Sequence, residues 1–184
     1  MAHTCPWWLG SLLASPLRKL RHKPEEILKY YVDYDMKAID VGPGMGFFTI
    51  PMARMVGAYG HVYAIDVQEK MIEGLKKRAT KAGVLKKIET RICSHTSLEI
   101  DDLEGKIDFI LAFYVVHELS DIHSFFKETH DALKVSGKLM VAEPKGHVKK
   151  QQFEDMISVA KQQGYEVVGN PKIKKSHTAV FAKK

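Results

Sequence analysis

The chain has 184 residues, 45% of them apolar and 27% charged, and a formal charge of +6. These totals suit a single soluble globular domain with its own core, and no apolar run approaches the roughly 20 residues of a membrane-spanning helix. The two cysteines, Cys5 and Cys93, lie far apart, which fits reduced thiols in a cytoplasm better than a disulfide scaffold.

Residues 1–35 stand apart as an N-terminal extension. Trp7 to Ala14 is apolar, but no charged segment precedes it and Pro16 with a basic stretch follows, so a signal peptide is rejected. His3 and Cys5 are two residues apart, as soft-metal ligands can be, yet a closed site needs about four ligands, and no metal site is expected. Leu9, Leu12, Leu13, Leu17 and Leu20 form a broken stripe beside Arg18, Lys19, Arg21 and Lys23. Three readings stand: a helix packed on the domain, a membrane-surface helix, or a lid over the active site. Packing that also covers the site is the expectation, with Trp7 and Trp8 excluding water. Pro24 to Val32 reads as a helix, with proline in its first turn and two glutamates next.

From residue 36 onward, β-rich runs alternate with helical stripes. The expected strands are Ala38–Val41, His61–Ile65, Ile88–Cys93, Ile107–Ala112 and Lys138–Ala142. Between and after them, Met71, Leu75, Ala79 and Ala82 repeat at helical spacing, as do Ile122, Phe125, Phe126, Thr129 and Leu133, and then Phe153, Met156, Ile157 and Ala160. Alternating units of this kind predict a parallel sheet with helices on both faces. Tyr165–Val168 and Thr178–Ala182 follow with no helix between them, which predicts an antiparallel hairpin at one edge.

The chemistry starts after the first strand. Gly42, Gly44 and Gly46 alternate in a turn that opens a helix. A dinucleotide-binding turn wants a small residue at position 47, where Phe47 stands, and a phosphate loop would need a terminal Gly-Lys-Ser/Thr. Asp66 ends the next strand, where a carboxylate accepts both hydroxyls of a ribose. Asp40, just ahead of the glycines, would repel a pyrophosphate and attract an ammonium group. Ribose, amino acid and positive charge together describe S-adenosylmethionine.

The chain resembles the class I S-adenosylmethionine-dependent methyltransferases. Asp40 to Gly46 resembles their first motif, Ala64-Ile65-Asp66 their second, Asp108 to Phe113 their fourth strand, and Gly137 to Val141 their fifth. The resemblance covers about residues 24–184. It implies a three-layer Rossmann-like α/β sandwich with a mostly parallel seven-stranded sheet, order 3-2-1-4-5-7-6, the last strand antiparallel. It also implies that Asp40 and Gly42 approach the methionine part, that Gly44 and Gly46 shape the turn, and that Asp66 holds the ribose with Val67 against the adenine. The family often has an acidic residue after the third strand. Here Ser94 stands there, leaving Ser94 or the backbone near His95 to read the adenine, with Ala112 and Phe113 under the cofactor. Asp40 as a helix cap and Phe113 as core are the plain alternatives.

The reaction class is in-line methyl transfer, with S-adenosylhomocysteine as product, and the enzyme mainly aligns nucleophile and methyl. Tyr114 and His117 follow the fourth strand and Glu143 and His147 the fifth, where acceptors bind in open α/β sheets. His117 is the first choice for a base or substrate contact. Tyr114 lines the pocket or packs; Glu143 stays buried and paired with a basic residue. The Asn/Asp-Pro-Pro-aromatic motif of amino-group methyltransferases is absent, and Ala112 stands where a catechol-type metal site needs a carboxylate. A small-molecule acceptor is expected. An RNA or protein acceptor on the basic surface, or a thiol or metalloid acceptor using Cys5, is the alternative, and the oligomeric state stays open.

Overall fold

A computed structural model describes residues 22–184 of the chain. The lid, His3, Cys5, Trp7, Trp8 and the leucine stripe lie outside the described residues. The rest falls into two compact units, which meet in sequence between Cys93 and Ser94.

In the first unit, α1 (Pro24–Leu28) begins with proline at its first position and Glu25 and Glu26 in its first turn. It stops short of the expected Val32. The Tyr31 N–H donates to the Leu28 carbonyl at 2.8 Å, tightening the last turn, and the aromatic, β-branched run Tyr30-Tyr31-Val32 favours helix poorly. Leu28 and Val32 are both buried, so this part of the extension packs on the domain. Strands β1 (Lys37–Val41), β2 (His61–Asp66) and β3 (Ile88–Ile92) pair in parallel, with Asp40 beside Ala64 and Asp66 beside Ile92. Helix α2 (Thr49–Met55) follows β1, and α3 (Glu69–Lys81) follows β2 with Met71, Ile72, Leu75 and Ala79 buried.

In the second unit, β4 (Ile107–Phe113) pairs in parallel with β5 (Leu133–Pro144). Between them, α4 (Ile122–Ala132) is capped by Asp121, whose side chain accepts from the His123 and Ser124 N–H groups. Leu133, expected in the helical stripe, is the first residue of β5. The register jumps from Ile107 opposite Leu133 to Phe109 opposite Lys138, so an irregular stretch precedes the regular pairing. Helix α5 (Lys150–Gln162) follows, then β6 (Tyr165–Gly169) and β7 (Ser176–Lys183), antiparallel to each other, with β7 also antiparallel to β5.

Hydrogen-bonded neighbours run β3-β2-β1-β4-β5-β7-β6 in one seven-stranded sheet, the order that the resemblance implied. This is the expected mostly parallel, Rossmann-like α/β sheet with an antiparallel last strand. No helix among the described residues is long and apolar enough to cross a membrane.

Candidate active site

The glycine turn lies between β1 and α2. Gly42, Gly44 and Gly46 all have positive φ (66°, 53° and 84°), a backbone region open to glycine at little cost. Two of them differ in what surrounds them. At Gly46 a Cβ would stand 3.3 Å from the side chains of Ile50 and Leu75, so its absence lets the turn pack against α3. At Gly44 a Cβ would meet nothing within 4 Å, so this backbone faces open space. Phe47, unlike the small residue of a dinucleotide turn, is buried and sits edge-on to Phe48 with ring centroids 5.2 Å apart.

Asp66 closes β2 and fastens the turn. One carboxylate oxygen accepts from the Gly44 N–H at 3.3 Å and the other from the Gln68 N–H at 2.9 Å. Burial pushes its carboxyl above the usual 3.8, while the N–H groups of Gln68, Gly44 and Val67 pull the other way. A carboxylate offers about four acceptor sites, so these N–H groups leave it acceptor capacity to spare. Open space at Gly44 and spare acceptors on Asp66 fit a ribose-bearing cofactor. Asp40 is 2% exposed and accepts from the Thr49 hydroxyl at 2.6 Å. Thr49 is the first residue of α2, so Asp40 is tied to the helix start through a side chain, whereas the N-cap is Phe48 with no side-chain cap, so Asp40 is not the helix cap. Val67 follows Asp66 and is half-buried.

A groove of about 330 Å³ between α2 and α3 is lined by Gly46, Phe47 and Ile50 together with Arg54, Arg78 and Lys81. Asp66 does not line it.

The second unit carries the other candidates. The Ser94 hydroxyl accepts from the Ser97 N–H at 3.0 Å, closing a tight exposed turn, and the His95 carbonyl accepts from the Ser120 hydroxyl at 2.6 Å. Ala112 and Phe113 are buried at the end of β4. Tyr114 follows in the left-handed region (φ 66°), unusual for a large side chain and a form of strain that concentrates at functional sites. Three contacts hold it there. Its N–H donates to the Ala142 carbonyl at 2.8 Å, its ring lies 4.4 Å from that of Phe113, and its hydroxyl meets the Ser176 hydroxyl at 2.7 Å.

Glu143, 1% exposed near the end of β5, accepts from the Val116 N–H at 2.9 Å and meets Nδ1 of His117. The His117 side chain is 23% exposed, and the His147 ring lies edge-on with its centroid 6.0 Å away. Burial pulls the His117 pKa down. The hydrogen bond and charge of Glu143, aided by Glu118, more than offset that, and the net direction is upward from 6.5. Tyr114, His117, Glu143 and His147, all singled out in the sequence, thus lie in one unit, with His117 on Glu143 and beside His147. Ser176 had no sequence signal of its own. It reaches Tyr114 through the β5–β7 register, which sets Pro144 opposite Ser176. Among the described residues, no group of three or more His, Cys, Asp or Glu side chains is arranged to hold a metal ion.

The sheet order, the glycine turn and the carboxylate on β2 define a class I S-adenosylmethionine-dependent methyltransferase domain. The methyltransferase domain family model matches residues 33–183, and the chain belongs to that family. It is 29% identical over 148 residues to a ubiquinone biosynthesis O-methyltransferase of Pelagibacter ubique, covering 74% of this chain and 58% of that protein. It is 28% identical over 109 residues to a demethylmenaquinone methyltransferase of Staphylococcus aureus, covering 59% and 43%. The chain therefore spans about half the length of these curated relatives. Among solved structures, a SAM-dependent methyltransferase from Aquifex aeolicus superposes with a TM-score of 0.84 at 26% identity, covering 97% of this chain and 98% of that one.

Proposed function

We propose that the chain transfers a methyl group from S-adenosylmethionine to a small-molecule acceptor. The observation that carries this reading is the Asp66 carboxylate at the end of β2, fixed by the Gly44 and Gln68 N–H groups with acceptor sites to spare. In this reading Asp66 takes the ribose hydroxyls, Val67 lies against the adenine, and Ser94 or the backbone near His95 reads the adenine edge. Gly42 and Gly44 give the cofactor room, Gly46 lets the turn pack on α3, and Asp40, held by Thr49, supplies negative charge for its ammonium group. Ala112 and Phe113 form the apolar floor under it. When bound, the cofactor supplies an electrophilic methyl on a sulfonium with a good leaving group. The protein's part is alignment and proton handling, which falls to Tyr114 and His117.

The small-molecule acceptor is supported by the relatives named for ubiquinone and menaquinone biosynthesis. A second reading, an RNA acceptor, draws on Arg54, Arg78 and Lys81 around the groove beside the turn. A gel-shift series across salt separates the two, because phosphate binding falls steeply with salt. Calorimetry with S-adenosylhomocysteine tests the leading reading. Saturable binding that Asp66→Ala weakens at least tenfold supports it, while absent binding, or binding indifferent to the substitution, refutes it.

A further inference from the structure

Glu143 is used twice, and the two uses together constrain His117. One oxygen accepts from the Val116 N–H at 2.9 Å, which fixes the carboxylate relative to the short turn Val116–Glu118 that carries the histidine. The other meets Nδ1 of His117. A carboxylate has no proton to donate, so in the neutral ring the proton resides on Nδ1. The lone pair is then on Nε2, which has no hydrogen-bond partner among the described residues. Other titratable groups nearby are few. Glu118 neighbours His117 in sequence, and the His147 ring stands edge-on at 6.0 Å. His177 lies opposite Glu143 in the β5–β7 register, its ring stacked on Phe153 at 5.4 Å.

We infer that Glu143 is a positioning residue that holds His117 as its Nδ1–H tautomer, so that Nε2 takes the proton from an acceptor that arrives protonated, a hydroxyl of the phenol or enol class. This rests on the methyltransferase reading. The acceptor O–H gives its proton to Nε2, and the oxygen electron pair forms the new O–CH3 bond. The S–CH3 bond breaks, and its electron pair stays on sulfur. Positive charge passes from the sulfonium to the imidazolium, whose Nδ1–H faces the Glu143 carboxylate. A hydroxyl needs this help more than a thiol does. A phenol titrates near ~10 and a thiol near ~8.5, so a larger share of a thiol is already ionised at neutral pH.

The test uses the full chain labelled with ¹⁵N-histidine, without cofactor, and long-range proton–nitrogen NMR across pH, with His117→Gln to assign the signal. The inference requires a neutral His117 with its proton on Nδ1 and a titration midpoint above 6.5. Glu143→Gln removes the charge and leaves one acceptor oxygen for two N–H donors, so the midpoint falls to 6.5 or below. A neutral His117 protonated on Nε2, or a midpoint that ignores Glu143→Gln, overturns it. If that variant does not fold, the wild-type tautomer decides alone. Calorimetry with S-adenosylhomocysteine on the same samples judges the methyltransferase reading separately. Absent binding sinks that reading and the base role with it, whereas binding combined with the Nε2–H tautomer sinks the inference alone.

Discussion

Gly44→Ala separates the fold from the cofactor. The residue sits at φ 53°, where an alanine costs about 1–2 kcal/mol in a left-handed backbone. The added methyl also lowers the entropy of the unfolded chain, returning roughly 0.4–1 kcal/mol. Because that Cβ meets nothing within 4 Å, no clash is added. The net loss is then about 1 kcal/mol, a fall in Tm of about 2–4 °C for a domain of this size. S-adenosylhomocysteine binding should suffer more, because the methyl fills space that the cofactor backbone contact needs. A tenfold loss corresponds to ~1.4 kcal/mol, and at least that is expected. Gly60→Ala is the control. Its Cβ would overlap the Val56 carbonyl oxygen and lie 2.8 Å from the Met36 carbonyl oxygen, so it should lower Tm further than Gly44→Ala does. Thermal unfolding and calorimetry read both quantities. A Gly44→Ala protein with full cofactor affinity would refute the placement of the cofactor over this turn.

Thr49→Val removes the 2.6 Å donor to the buried Asp40 carboxylate and should cost about 1.5–3 kcal/mol, read by denaturant unfolding; an unchanged midpoint would mean that this bond contributes nothing to stability. Asp66 carries a pH signature. Its folded pKa is raised above 3.8, so its ionised form is disfavoured by the fold and acidification relieves that cost, yet the ribose needs the carboxylate. Cofactor affinity should therefore drop on acidification with a midpoint above 3.8, and a loss only below that value would contradict the burial argument. His117 behaves oppositely. With a raised pKa, its pairing with Glu143 adds stability below 6.5 that is lost as pH rises through the folded value. Glu143→Gln should flatten that part of the Tm–pH curve. Deleting residues 1–23 tests the lid proposal: cofactor binding should persist and turnover fall, and full turnover would refute it.

The sheet was largely legible because its strands are short apolar runs split by helical stripes, and the absence of a helix between β6 and β7 gave the antiparallel pair. Boundaries were less so. Leu133 is buried whether it closes a helix or opens a strand, so its apolar character could not place it. Val135 and Ser136 lie exposed between the two paired parts of β5 and give no alternating pattern. At the site, Asp66 and the glycines were legible because a local turn needs those residue types. The pairing of His117 with Glu143 joins residues 26 positions apart and Tyr114 with Ser176 residues 62 apart. Such contacts come from strand order and register, which no local pattern encodes. The strands that end at Phe113 and Pro144 pair in parallel, and that neighbourhood was the one available clue to the first contact.

A crystal structure of the full chain with S-adenosylhomocysteine tests the central claim most directly. The account predicts both ribose hydroxyls within hydrogen-bond distance of the Asp66 carboxylate and the cofactor backbone against Gly44. A ligand bound elsewhere, or a ribose that leaves Asp66 with only its Gly44 and Gln68 partners, would contradict it.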